Sequence, residues 1–186
     1  MDQHTPRLQD IIDSKILGER KIFLWGQVHD DSAKHIIDRL LYLELTGPGK
    51  EIQLIINSPG GYVTSGFAIY DTMKNISSPI STICTGFAAS MASILLSGGA
   101  KGKRFILPHA RVMIHQPGGG AGGTASDIEI QIDELLKTKR LSAEILAANC
   151  GQPFDKVMKD IDRDHWMSAD ESIAYGIVDG TLDKLA

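Results

Sequence analysis

Ser81–Ala100 reads S-T-I-C-T-G-F-A-A-S-M-A-S-I-L-L-S-G-G-A. An apolar strand-like run ends at Gly86, and a helix-like run begins at about Ala88, which places Ser90 in the first turn of that helix. A helix N-terminus carries unpaired N–H groups and about half a positive elementary charge. A hydroxyl there faces a site prepared for negative charge, the position that an acyl-transfer nucleophile needs. The flanking Ala88, Ala89, Met91 and Ala92 include few bulky side chains, so a substrate backbone has room to approach. Taken alone, the same stretch also reads as a tightly packed buried helix.

Working outward, strands and helices alternate. Upstream come a strand over Lys21–Val28, a helix capped by Asp31 or Ser32 with Ile36, Ile37, Leu40, Leu41 and Leu43 at helical spacing, and a stop at Gly47-Pro48-Gly49. Glu51–Asn57 is so apolar that it predicts a strand buried on both faces, as parallel strands are. It runs into Ser58-Pro59-Gly60-Gly61, and a helix follows over Val63–Ile76. The central strand is expected over Ile80–Thr85 and its helix over Ala88–Leu96, with strands Arg104–Leu107 and Val112–His115 beyond. The pattern predicts an α/β fold with a mostly parallel sheet. Sites in such folds gather where strands end and helices begin, as at the Gly60-Gly61 and Gly86 turns.

Ser126 to about Cys150 predicts a long helix, opened by a Ser126/Glu129 capping box and stopped by Gly151 and Pro153. At 1.5 Å per residue it spans about 36 Å. Its Ile128, Ile130, Ile132, Leu135, Leu136, Leu141, Ile145 and Leu146 cover more than one face, so it is either a long core helix or packs partly against another subunit. The chain closes with a helix near Phe154–Asp160, a turn over Asp162–Trp166, a short helix capped by Ser168, and a strand around Ile177–Val178. Asp2–Glu19 reads as one short helix or an arm. The expected organisation is an arm over residues 1–20 and a single domain over residues 21–186.

The 186 residues carry a net charge of -4 and two cysteines. Nothing basic points to nucleic acid. Cys84 in an apolar strand and Cys150 at a helix end do not form a disulfide framework or a metal set, which favours a reducing compartment. No stretch reaches the length of a membrane span, and the charges scattered through Met1–Lys21 are unlike a signal peptide. The expectation is a soluble, cytoplasmic protein.

Of the six histidines, His115 ends the apolar strand V-M-I-H and precedes Gln116-Pro117 and the glycine-rich Gly118–Gly123. A histidine at a strand tip can accept a serine proton while a carboxylate orients its other nitrogen. It equally reads as a satisfied strand-end histidine. The residues alone leave the acid open among Asp160, Asp162, Asp164 and Asp170.

From about Asp10 to Asp179 the sequence resembles the ClpP family of serine peptidases, the proteolytic subunits of caseinolytic proteases. The resemblance rests on I-N-S-P-G-G at Ile56–Gly61, A-I-Y-D-T-M at Ala68–Met73, A-A-S-M at Ala88–Met91, G-A-K-G-K-R-F at Gly99–Phe105, R-V-M-I-H-Q-P at Arg111–Pro117, D-I-E-I at Asp127–Ile130, D-R-D at Asp162–Asp164 and M-S-A at Met167–Ala169. It implies Ser90 as nucleophile, His115 as base, Asp164 as orienting acid, and an oxyanion hole from the N–H groups of Gly61 and Met91. It implies no cofactor and no metal. It also implies a crotonase-like head with the long helix as a handle, two stacked seven-membered rings closing a chamber, and an ATP-driven AAA+ unfoldase as partner. Arg163 matches the family's ring-contact arginine.

The sequence also departs from the family. Gln53 and Ile55 stand where aromatic rim residues are usual, which puts docking of the usual unfoldase in doubt. Phe87 replaces a glutamine, Gly118 replaces an apolar residue, and Gln9–Ser14 lacks the family's tyrosines. A flexible loop after His115 would hold the base poorly, so the departures fit a weakly active paralogue working in mixed rings. Two other readings stand beside it: a non-catalytic ring subunit, and a crotonase-superfamily acyl-CoA hydratase or isomerase, which would use acidic residues. A Ser–Lys peptidase would need Lys101 or Lys103 as base and a membrane segment.

Overall fold

The computed structural model describes residues 7–182 and 184. Residues 1–6 of the expected arm, and residues 183, 185 and 186 at the end of the expected domain, lie outside the described residues. The elements run α1 (Leu8–Gly18), β1 (Lys21–Trp25), α2 (Asp30–Thr46), β2 (Ile52–Ser58), α3 (Val63–Asn75), β3 (Ile80–Ala89), α4 (Met91–Ser97), β4 (Arg104–Ile106), β5 (Arg111–Ile114), α5 (Ala125–Cys150), α6 (Phe154–Asp160), β6 (His165–Met167), α7 (Ala169–Tyr175) and β7 (Gly180–Thr181). The α/β alternation is the expected one. β1, β2, β3, β4 and β7 lie side by side in parallel, β5 pairs in parallel with β3, and β6 pairs antiparallel with β5.

The sheet turns on β3. Its first half pairs with β4, Thr82–Cys84 against Arg104–Ile106, and its second half pairs with β5, Phe87–Ala89 against Arg111–Met113. The strand therefore does not end at Gly86. Gly86 has φ +77°, and a Cβ there would lie 2.5 Å from Asn57 Oδ1, the atom that accepts the Phe87 N–H at 3.3 Å. A glycine lets the strand bend around Asn57 and continue for three more residues. As a result α4 starts at Met91 and not at Ala88, and Ser90 is its N-cap.

Several other boundaries shift for local reasons. His29 caps α2, with Ser32 as the reciprocal partner. Thr124 caps α5 with Asp127, so the helix starts one residue before Ser126 and its 26 residues span about 39 Å. β6 occupies part of the expected turn. Ile177 and Val178 are buried, but the closing strand pairs at Gly180–Thr181.

The core gathers Ile22, Leu24, Leu54, Ile56, Leu95 and Ile106, all fully buried. α2 packs on β1 and α3, α3 on α4, and α4 on β2, β3, β5 and the C-terminal part of α5. At that last contact the Arg104 guanidinium donates to Asp179 and to the Asn149 carbonyl, which fastens the end of α5 to the sheet.

Candidate active site

Ser90 sits where β3 hands over to α4, with φ 56° and ψ -126°. A non-glycine residue in that region costs about 1–3 kcal/mol and persists only when its surroundings over-determine it. Here the Ser90 N–H donates to the Met113 carbonyl at 2.9 Å, and the Ser90 carbonyl accepts the Ser93 N–H at 3.0 Å and the Ser93 hydroxyl at 2.6 Å. The Ser90 hydroxyl takes no part in capping the helix. It lies 2.9 Å from His115 Nε2.

His115 follows the last residue of β5, and its Nδ1 is 3.0 Å from Asp164 Oδ1. The tautomer that satisfies both contacts donates Nδ1–H to the carboxylate and leaves Nε2 to accept the serine proton. The antiparallel register pairs Ile114 with His165, so Asp164 arrives beside His115. Its side chain is 62% exposed and that of His115 31%. The other candidate carboxylates go elsewhere. Asp160 accepts from Tyr175 Oη and Lys156 Nζ, Asp162 Oδ1 lies 3.5 Å from Gln116 Nε2, and Asp170 sits in the first turn of α7.

The Gly60-Gly61 turn touches the junction of β3 and α4. Gly60 has φ +84°, and a Cβ on it would come within 2.8 Å of the Met91 nitrogen and of Ser90 Cβ. The Gly60 N–H donates to the buried Ser58 hydroxyl at 3.0 Å. The bridge between Val28 and Gly61 uses the Gly60 carbonyl and the Tyr62 N–H, which turns the Gly61 N–H away from Val28. Gly61 cannot carry a side chain there, because a Cβ would run into the Val28 carbonyl oxygen. Met91 is the first residue of α4, so its N–H has no acceptor within the helix. The Gly60-Gly61 turn and the first N–H of α4 thus lie beside a hydroxyl already bonded to an imidazole, an arrangement suited to attack on a carbonyl.

Arg163 is exposed, and among the described residues it makes no hydrogen bond or ion pair. Gln116, which the sequence reading passed over, binds the turn before Asp164; its neighbour Pro117 was the available signal. The Gly118–Gly123 segment is held by α5, where Gln131 accepts the Gly122 N–H at 3.2 Å and donates to the Gly122 carbonyl at 2.9 Å. Burial pushes the thiols of Cys84 and Cys150 up to about 12, so both stay protonated and unreactive near neutral pH. Among the described residues no helix is long and apolar enough to cross a membrane. The family model described as Clp protease matches residues 3–184.

Proposed function

The chain belongs to the Clp protease family, and from that premise we propose that it is a serine endopeptidase subunit that cleaves unfolded polypeptide within a ring assembly. Ser90 attacks the peptide carbonyl while His115 takes its proton. The N–H groups of Gly61 and Met91 stabilise the oxyanion, and His115 then protonates the leaving amine. Asp164 holds the imidazole in the required tautomer and balances its positive charge. Water deacylates the serine by the same route. The observation that carries this reading is the unbroken hydrogen-bond chain from the Ser90 hydroxyl through His115 to Asp164, at 2.9 and 3.0 Å. It needs neither metal nor cofactor.

The proposed subunit comprises a head within residues 21–186 and α5 as a handle. Exposed Ile130, Ile132, Leu136 and Leu141 on α5 support stacking of two rings, and the unpaired Arg163 beside Asp164 supports a ring contact that reaches the site. An AAA+ unfoldase would feed the chamber. Gln53, Ile55, Ile83, Phe105 and Leu182 line a cleft of about 140 Å³, with Glu51 and its ion-pair partner Lys103 at the same edge. Gln53 and Ile55 in that lining, at places where the family usually carries aromatic residues, favour a docking partner different from one that inserts into an aromatic rim.

A fluorophosphonate probe tests the nucleophile. It should label Ser90, as located by mass spectrometry, and His115→Ala should abolish the labelling; an unlabelled Ser90 in the assembled protein would refute the reading. The run Gly118–Gly123 favours a second reading, in which the site is fully ordered only in mixed rings. Full peptide hydrolysis by the chain alone would remove that one.

A further inference from the structure

Asp164 is the least anchored member of the proposed triad, because its side chain is mostly exposed and its one hydrogen-bond partner among the described residues is His115. The segment that carries it is an arch. Ile161 is fully buried at one foot, β6 begins with His165 at the other, and Asp162, Arg163 and Asp164 between them are exposed.

Gln116 closes that arch from the side of the base. Its N–H donates to the Ile161 carbonyl at 2.6 Å. Its side-chain Nε2 donates to the Asp162 carbonyl at 2.8 Å and lies 3.5 Å from Asp162 Oδ1. Both contacts start one residue after His115 and end two or three residues before Asp164. Pro117 keeps the backbone of Gln116 extended, which fixes where the side chain leaves the strand. Any movement of the arch therefore registers directly as movement of the carboxylate relative to the imidazole.

We propose that Gln116 is a positioning residue for the peptidase reaction: its carboxamide locks the Asp162–Asp164 arch onto the strand end, so that Asp164 meets His115 Nδ1. The inference rests on the Ser90–His115–Asp164 reading. Among the described residues the hydrogen bonds of Gln116 go to Ile161 and Asp162 and none to Ser90 or His115, so it acts through Asp164. The lock needs a donor. Glutamate has the same length but only accepts, and it would face the carbonyl and carboxylate oxygens of Asp162. Asparagine is one methylene shorter and falls out of reach.

The test uses the full chain in whichever ring composition hydrolyses peptide, comparing wild type with Gln116→Glu and Gln116→Asn. The lock predicts a fall in kcat of about 10- to 100-fold with KM within about twofold, since loss of orientation weakens the transition state more than substrate binding. Phosphonate labelling of Ser90 should slow in step with kcat, while assembly mass and thermal midpoint stay at wild-type values. Wild-type kcat in Gln116→Glu overturns the proposal, as does a loss accounted for by a lower midpoint or by dissociated rings. If wild type itself is not labelled at Ser90, the triad reading fails and takes this inference with it. If wild type is labelled and active while both variants match it, only the role of Gln116 falls.

Discussion

α4 and α5 are built to opposite specifications. α4 has seven residues and every one is buried; α5 has 26, of which only Ser142, Ala143 and Leu146 are buried. Isolated helices shorter than about 12 residues are marginal in water, so α4 exists because β2, β3, β5 and α5 surround it. That enclosure is what fixes the strained backbone of Ser90 at its N-terminus. α5 is long enough to hold itself together, carries Lys137 pairing with Asp133 and Glu134, and exposes apolar side chains that nothing among the described residues covers. A short helix here supplies precision, and a long one supplies surface.

The contrast breaks first at the N-cap of α4. Ser90→Ala should lower peptide hydrolysis by at least about 10⁴-fold, as loss of a triad nucleophile does, while far-UV circular dichroism and assembly mass stay unchanged. If more than a few per cent of the activity survives, the proposed nucleophile is wrong, and the precision of α4 serves something else.

Next comes the point where the two helices meet. Arg104, with a side chain only 6% exposed, bonds Asp179 and the Asn149 carbonyl in the last turn of α5, and the Asn149 side chain reaches Ser97 at the end of α4. Arg104→Ala should destabilise the fold by about 3–5 kcal/mol, because it strands a partly buried carboxylate. Burial by itself would raise the Asp179 carboxyl, but the hydrogen bonds and charge of Arg104 outweigh it and hold the group below the usual carboxylate range. A carboxyl depressed in the folded state stabilises above its unfolded pKa of about 3.9, and that contribution is lost as pH falls through the folded value. The denaturant midpoint should therefore drop below about pH 4 in wild type and drop less steeply in Asp179→Asn.

Within α4 itself, Leu95 is fully buried, and Leu95→Ala should cost about 2–5 kcal/mol by chemical denaturation. A cost below about 1 kcal/mol would mean that the helix is less tightly enclosed than its burial indicates.

The same contrast decides what the sequence could reveal. Glycines and caps announce local geometry, so the Gly60-Gly61 turn beside Ser90, and the existence of a long helix near residues 126–150, were readable. The bend at Gly86 was not, because A-A-S-M-A-S suits either a strand end or a helix start, and only pairing with Arg111–Met113 makes Phe87–Ala89 a strand. Thr124/Asp127 and Ser126/Glu129 overlap, and the usual Ser/Thr-x-x-Glu/Gln pattern favours the second; the structure nevertheless uses Thr124 with Asp127. The acid was the hardest to read from the residues. Four aspartates lie in or near one turn, and the contact with His115 follows from the long-range register of β5 and β6, although family resemblance favours Asp164.

The smallest expected effect on the monomer is at Leu136, 58% exposed on α5. Leu136→Glu replaces one good helix former with another and places a carboxylate four residues before Arg140, a favourable spacing. Monomer stability should therefore change by no more than about 0.5 kcal/mol. A stacking surface, in contrast, would have to bury that charge against its counterpart, so native mass spectrometry should show half-size or smaller assemblies and peptide hydrolysis should fall with them. The two measurements separate the alternatives: unchanged mass with unchanged stability would mean that the exposed apolar face of α5 contacts no second copy, while a large loss of monomer stability would make α5 a core helix after all.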